Sequence, residues 1–420
     1  MKHDYDLIVV GSGAAGMMAA ITAARNGNRV LILEKLARPG AKLKATGGGR
    51  CNLTNTLPNE TFMAHFGKNG RFMAPALEAL DHTKLTAFFE EIGVPTHAPD
   101  GFRIFPLTHN ARTILSALEE EAARLQIVLL CNHRVTHVMT DATGVTGVAT
   151  ATERFMAPHV ILATGGLGYP MLGAEGDGLE MARSLGHKVT ELFPAMMPLQ
   201  TAERWGAECR ADTIPKATIR VNLPKPKYKK LTATGDLIFT KTGIRGPVVL
   251  DFSREITPLL AMYNEVPILI NMTRGMHADQ IYRHLKASHT RSPQNSLLEH
   301  LTTLLPASVA AQLSILCGAD PEKSFSALPG AVRERLVQML AWTPMTVTGH
   351  DGFKMAMITR GGVSLKEIDP HTMRSKKIDG LYFCGEIVDL DGPCGGYNLQ
   401  WSFAGGHLAG QMLQKPKRGT

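Results

Sequence analysis

The sequence predicts an α/β fold with a long insertion, and three observations carry that prediction. Near the start, an apolar run passes through a glycine-rich turn into a helical stretch and then a second apolar run. From 189 to about 272 the pattern changes to short β-like runs cut by Pro and Gly. Near the end, an apolar run closing on Gly is again followed by a helical stretch. The two ends read as one domain with the middle inserted.

The first element is the apolar run 7–10, which reads as a buried parallel strand. Gly11, Gly13 and Gly16 follow at once in the spacing G-x-G-x-x-G. Residues 17–26 are rich in Ala and Met and free of Pro, so they read as a helix, closed by Gly27 and Asn28. Residues 29–33 form a second apolar strand ending at Glu34. Gly11 allows the tight turn, Gly13 lets backbone approach a pyrophosphate, and Gly16 lets helix and strand pack closely. The open N–H groups of the helix start favour negative charge. Glu34 is placed to accept hydrogen bonds from a ribose 2′-OH. Strand, turn, helix, strand and acid in this order point to a bound dinucleotide.

Composition sets the bounds. A chain of 420 residues suggests two or three domains, at roughly 150 residues each. A hydrophobic content of 44% with 20% charge fits a globular protein. Lys plus Arg is 45 against 37 for Asp plus Glu, a net +8. That mild excess permits an anionic ligand or nucleic acid without demanding either, so no nucleic-acid partner is expected. Cys51, Cys131, Cys209, Cys317, Cys384 and Cys394 form no CxxC pair and no disulfide framework. This suggests a reducing, cytoplasmic setting, and no metal site is expected. Met1 to Asp4 run straight into the first strand without room for a signal peptide, and no apolar run is long enough to cross a membrane.

The remaining elements follow in order. Residues 41–55 form a backbone-exposed loop with Lys42, Lys44 and the run Gly47-Gly-Gly-Arg-Cys-Asn52. Residues 70–93 read as one or two helices, and 96–106 as a hairpin turning at Pro99-Asp100-Gly101. Residues 110–126 are a helix with Ile114, Leu115, Leu118 and Ala122 on one face. Short strands fall at 128–130, 135–139 and 145–149, and another at 159–163 runs into Gly165, Gly166 and Gly168. A helix follows to 185. The β-like runs 217–223, 230–234, 237–240 and 266–272 suggest a barrel-like unit, with 243–247 a turn before a helix. Residues 277–342 have leucines at helical spacing, cut by prolines into short helices; 346–363 return as strands. Residues 380–385 are a last strand and 395–413 a last helix. The expected organisation is a nucleotide-binding domain at 1–190 and 357–420. A β-barrel-like domain at 191–275 and 343–356 is inserted, and it carries a helical insert at 276–342.

Gly11 to Gly16, Thr164-Gly165 and 382–399 together look like a two-piece FAD-binding fold. In such flavoproteins the Ala-Thr-Gly strand passes close to the cofactor. The late Gly-Glu, here Gly385-Glu386 with Asp389, approaches the ribityl and pyrophosphate. The last helix, opening at Gly396-Tyr397-Asn398-Leu399, points its N-terminus at the pyrimidine edge of the flavin. Helix N–H groups there stabilise the negative charge of a reduced flavin.

The runs Gly47-Gly-Gly-Arg-Cys-Asn52, Asp369-Pro370, Gly380-Leu-Tyr-Phe-Cys-Gly-Glu386 and Gly395-Gly-Tyr-Asn-Leu-Gln-Trp401 resemble the BaiN/RdsA-type NAD(P)/FAD-dependent oxidoreductases, also called YhiN-like flavoproteins. The resemblance spans nearly the whole chain. It implies a Rossmann-like FAD domain carrying an inserted β-barrel with a helical insert. It places FAD contacts on Ala14, Ala15, Glu34, Lys35, Lys42, Gly48, Gly49, Arg50, Cys51, Asn52, Val135, Gly385, Glu386, Asn398 and Leu399, with Val135 meeting the adenine through its backbone. Arg360, Arg374, Lys241 and Arg245 depart from the family pattern by adding positive charge, either toward an anionic substrate or as surface drift.

The catalytic candidates are Arg50, Cys51 and Arg103. Cys51 reads either as a redox thiol or as packing beside the flavin. Arg50 and Arg103 either hold a substrate carbonyl or carboxylate or brace their loops. The expectation is an FAD enzyme acting on a small molecule, with reduction of an activated C=C bond such as an enone favoured by the resemblance. No second complete G-x-G-x-x-G unit exists, so NADH or NADPH would bind in the substrate cleft. The alternatives are an RNA-modifying flavoprotein and a flavin-binding protein without turnover.

Overall fold

The computed structural model describes residues 4–210 and 212–411. They fall into two compact units, Met1–Phe193 with Ile358–Thr420, and Pro194–Met357.

The first unit is built on a five-stranded sheet. Its strand order is Leu381–Phe383, Val160–Leu162, Leu7–Val10, Val30–Leu33 and Val128–Leu130, all parallel. Ile8 lies opposite both Val160 and Leu31, and Ile161 opposite Tyr382. Four of these strands are buried at every residue. Their apolar runs do not alternate because both faces are covered.

Helix Ala14–Arg25 carries the glycine turn, and its neighbour is the last helix, Tyr397–Gln411. A Cβ on Gly406 or Gly410 would lie 2.2 or 2.3 Å from the carbonyl oxygen of Ala15 or Ala19. Only glycine lets the two helices meet this closely. The expected helix to 413 ends in the structure at Gln411, and residues 412–413 lie outside the described residues, as do Met1 to His3.

This unit also holds two three-stranded antiparallel sheets. One orders Thr54–Asn55, Arg103–Pro106 and Thr96–His97; the other orders His137–Asp141, Gly144–Ala149 and Arg154–Met156. The first of the latter starts at His137 rather than at 135. The expected loop at 41–55 contains a short helix, Ala41–Ala45, and a 3₁₀ turn, Thr46–Gly49. Gly47 and Gly48 sit there at φ 57° and 66°, a conformation open to glycine at little cost.

The second unit contains a closed six-stranded barrel. Its order is Leu199–Thr201, Gly243–Arg245, Thr232–Phe239, Thr213–Val221, Val266–Asn271 and Thr343–Gly349. The runs expected at 230–234 and 237–240 are one strand, because Gly235 continues the ladder opposite Ala217. The expected turn at 243–247 is instead a strand, Gly243–Arg245, followed by the helix Pro247–Tyr263. Gly243 pairs so closely with Leu199–Thr201 that a Cβ would meet the Leu199 oxygen at 2.1 Å.

Helices Ala278–Arg291, Leu297–Leu301, Ala307–Leu316 and Gly330–Ala341 connect the last two barrel strands. Leu285, Leu301, Leu313 and Leu336 form their buried core. No described helix is long and apolar enough to cross a membrane.

Candidate active site

The glycine turn is shaped as its spacing requires. Gly11 sits at φ 101°, and a Cβ there would be 2.7 Å from the Ala163 oxygen. A Cβ on Gly16 would be 1.9 Å from the Gly11 oxygen. Gly11 and Gly16 are therefore required by the protein's own packing. Gly13 differs: its φ is −75°, and nothing lies within 4 Å of where its Cβ would be. The open face is at the N-cap of helix Ala14–Arg25, where Ala14 and Ala15 lead the free N–H groups. A dinucleotide pyrophosphate fits this cradle.

Glu34 ends the second strand and is already engaged. Its Oε2 accepts from the Ser12 backbone N at 3.0 Å and from Ser12 Oγ at 2.6 Å. Its Oε1 accepts from Leu36 N at 2.9 Å. The carboxylate thus holds the glycine turn in place and retains lone pairs for a ribose hydroxyl. Lys35 Nζ is 2.8 Å from both Glu175 and Asp177, and Arg134 reaches the same two acids. Asp177 is desolvated, yet hydrogen bonds from Lys35 and Arg134 hold its carboxyl below the usual range. The segment leading to buried Val135 runs beside Glu34: Asn132 N donates to the Leu36 oxygen and His133 N to the Glu34 oxygen.

The chain's other end closes the site. Gly385, at φ 78°, faces Ala15 so closely that a Cβ would be 2.7 Å from the Ala15 Cβ. Glu386 Oε2 accepts from Lys42 Nζ at 2.7 Å, and its Oε1 accepts from Thr359 N at 2.9 Å. Thr359 Oγ1 in turn accepts from Leu167 N at 2.7 Å. Thr164 Oγ1 is buried without a hydrogen-bond partner, and Gly165, at φ 73°, has open space at its Cβ position. Asp389 has other neighbours: its backbone N bonds the Val363 oxygen and its carboxyl meets Thr190. Burial pushes that carboxyl up, opposed by the Thr190 hydrogen bond.

The loop at 47–52 joins this frame to the last helix. In the amide orientation that satisfies both ends, Asn52 accepts from Gly396 N at 3.0 Å and donates to the Thr54 oxygen at 3.0 Å. Asn398 brackets Gly392, accepting from its N and donating to its oxygen, each at 2.8 Å. Tyr397 packs against Phe62 and His65, while Leu399 is half-buried against the core. Gly48 and Gly49 have no neighbour within 4 Å of a Cβ position.

The open glycine faces and the unpartnered Thr164 hydroxyl fit FAD.

Of the catalytic candidates, Arg50 and Arg103 converge on one ring. Their guanidinium carbons lie 5.5 and 5.9 Å from the centroid of Phe105, which is buried. Both arginines are exposed; Arg103 also pairs with Asp100 at 2.7 Å. Cys51 is fully buried at φ 58°, and burial pushes its thiol up to about 12. That setting holds the sulfur protonated, the opposite of what a nucleophilic or redox thiol needs.

Sequence reasoning missed Phe105 and a histidine pair, and it gave Thr359 a place in a family run but no role in the site. His97 Nε2 and His109 Nε2 are 2.7 Å apart, and the His109 ring lies 5.4 Å from Phe105. Neither histidine belongs to a spaced motif, so local pattern held no signal for them. No group of three or more His, Cys, Asp or Glu among the described residues is placed to hold a metal ion.

Comparison with known proteins accords with this frame. The chain is 32% identical over 405 residues to a 3-dehydro-bile acid delta(4,6)-reductase of Clostridium scindens, covering 96% of this chain and 97% of the relative. It is 28% identical over 413 residues to a ribosomal RNA dihydrouridine synthase of Escherichia coli, covering 97% and 98%. The crystal structure of 3-ketosteroid delta1-dehydrogenase from Sterolibacterium denitrificans shares the fold, with a TM-score of 0.55 at 13% identity over 98% of this chain and 99% of that one. Residues 5–412 match the model of the HI0933-like protein Rossmann domain, and the chain belongs to that family, among the BaiN/RdsA-type flavoprotein oxidoreductases.

Proposed function

We propose that the protein holds FAD and uses electrons from NADH or NADPH to reduce an activated C=C bond of a small organic molecule such as an enone. The observation that carries this reading is Gly13, a glycine with open space before it at the mouth of the first helix. When bound, FAD supplies two-electron hydride chemistry.

The chain's own residues would do the rest. Backbone N–H groups at Ala14 and Ala15 would meet the pyrophosphate. Glu34 would accept from the ribose, and backbone at Val135 would meet the adenine. Lys35, Lys42, Glu386 and Asp389 would brace the phosphate and ribityl region with Thr164 and Gly165. Residues 48–52 and the N-terminus of the last helix at Tyr397, Asn398 and Leu399 would border the flavin ring. That helix end would stabilise negative charge at the ring's pyrimidine edge. Arg50 and Arg103 would hold and polarise the substrate carbonyl. In this reading 1–190 and 357–420 are the flavin domain, 191–275 with 343–356 a barrel domain, and 276–342 its helical insert.

The relatives' names support the reaction type, since a delta(4,6)-reductase and a dihydrouridine synthase each saturate a C=C bond by name. A cytoplasmic setting is supported by the six cysteines, none of which is in a disulfide. The test is anaerobic stopped-flow mixing of the yellow protein with each nicotinamide, then with an enone. Bleaching and enone-driven recolouring are expected. Colourless protein that takes up no FAD ends the reading, and bleaching without recolouring by any acceptor leaves a flavin-binding protein without turnover.

A second reading, an RNA-modifying flavoprotein, is favoured by one surface of the second unit. Lys225, Lys227, Lys229 and Lys230 are exposed around buried Tyr228, with Lys225 and Lys227 over the rings of Tyr263 and Tyr228. It predicts RNA affinity that falls steeply with salt; no binding at low salt removes it.

A further inference from the structure

We propose that His97 and His109 form a two-histidine proton relay that protonates the carbon next to the carbonyl when the C=C bond is reduced. This rests on the reductase reading above.

The geometry is specific. The two Nε2 atoms face each other at 2.7 Å, with the rings nearly perpendicular at 85°. At that distance one nitrogen donates and the other accepts, so one proton lies between them. Each ring keeps its Nδ1, and neither Nδ1 is hydrogen-bonded within the described protein or buried. The pair therefore has two open ends joined by one shared proton.

The fold positions it rigidly. His97 lies directly opposite Phe105 in the hairpin. His109, at φ 48°, is tied by its backbone N to the Pro106 oxygen at 2.9 Å and packs against the Phe105 ring. Arg50 and Arg103 lie over that same ring. On the hairpin's other side, Ile104 pairs with Thr54, whose backbone touches Gly396 at the start of the last helix. Asp100 is bound to Arg103, so that acid is already engaged beside the same ring. A pair that only braced the hairpin would need one fixed donor and one fixed acceptor. Two imidazoles add the capacity to exchange those roles.

The step balances. Bound FAD would supply the hydride that the far carbon of the C=C bond takes up, with the nicotinamide as the source of its electrons. The electron pair moves onto the carbonyl side as an enolate. His109 gives its Nδ1 proton to the near carbon, its Nε2 takes the proton shared with His97, and His97 Nδ1 takes one from water, whose hydroxide is neutralised by the solvent proton the overall reduction consumes. Both rings remain neutral, and solvent exchange at the open Nδ1 atoms restores the starting tautomers.

The test uses the flavin-loaded full chain with His97→Gln and His109→Gln. Wild type is expected to recolour with an enone, and each variant about 100-fold more slowly. Nitrogen-15 spectra of the ring nitrogens supply a readout apart from turnover. One protonated and one bare Nε2 are expected in wild type, with the His109 signals changed by His97→Gln. Recolouring of both variants at the wild-type rate overturns the relay alone. Two Nε2 atoms that titrate independently overturn it as well. Failure of wild type to recolour with any acceptor overturns the reductase reading and the relay with it, and melting curves separate either result from misfolding.

Discussion

Gly385 and Ala15, from opposite ends of the chain, touch so closely that any side chain on Gly385 would collide with the Ala15 Cβ, at 2.7 Å. The contact seats the last Gly-Glu turn on the first helix. Gly385→Ala adds both that collision and strain at φ 78°. It should cost about 1–3 kcal/mol in stability, read by urea denaturation, and should lower FAD retention in the same variant.

Gly13 gives the opposite expectation. Its Cβ position is open, so Gly13→Ala should change stability by no more than about 1 kcal/mol, while FAD affinity falls at least about tenfold. Melting of the flavin-free protein and flavin titration measure the two effects separately. Loss of both together would mean that the open space has a structural use.

Glu34→Ala removes the acceptor of Ser12 N and Leu36 N. Hydrogen bonds to a charged group are worth about 1.5–3 kcal/mol each, so the glycine turn should loosen. FAD affinity is expected to fall more than tenfold by equilibrium dialysis. Unchanged affinity would count against the ribose role.

Cys51 should be chemically quiet. With its thiol pushed up to about 12 by burial, it stays protonated from pH 6 to 9. Alkylation at pH 8 should label Cys51 far more slowly than an unfolded control, by mass spectrometry. Cys51→Ala should retain turnover, and loss of turnover with FAD still bound would restore the thiol as a chemical group.

His407 supplies a pH dependence. It sits on the last helix, with Nδ1 3.0 Å from Thr22 Oγ1 on the first helix. Burial, with Lys84 and Arg25 adding to it, lowers its pKa to about 4. The unfolded ring, with its pKa near 6.5, binds the proton first. Stability from this group is therefore full above pH 6.5 and falls as pH drops toward 4, by about 2–3 kcal/mol at most. Denaturation at pH 7 and pH 5 should show a smaller drop for His407→Gln than for wild type. An equal drop would assign the effect to other groups.

Much of the fold was legible before any coordinates. The apolar runs at 7–10 and 30–33, the glycine spacing, and the strand and helix at the chain's end are local patterns. Each specifies its own element through burial and backbone freedom, and the switch to β-like runs announced a barrel. Local pattern failed where pairing decided. Gly243 reads as a turn residue, yet it lies in a strand because Leu199–Thr201 runs beside it. Residues 230–240 read as two runs until the neighbouring strand made them one.

The site divides in the same way. By itself the sequence determined that a dinucleotide cradle exists, since G-x-G-x-x-G, helix and acid are all contiguous. The spacing also assigned the three glycines their roles, with which the packing accords, whereas tertiary structure alone decided that Cys51 is sealed from water. It also set Arg50, Arg103 and His109 around Phe105 and brought the Nε2 atoms of His97 and His109 to 2.7 Å. Contacts between residues far apart in sequence depend on how the elements pack, and no periodicity in the chain encodes that.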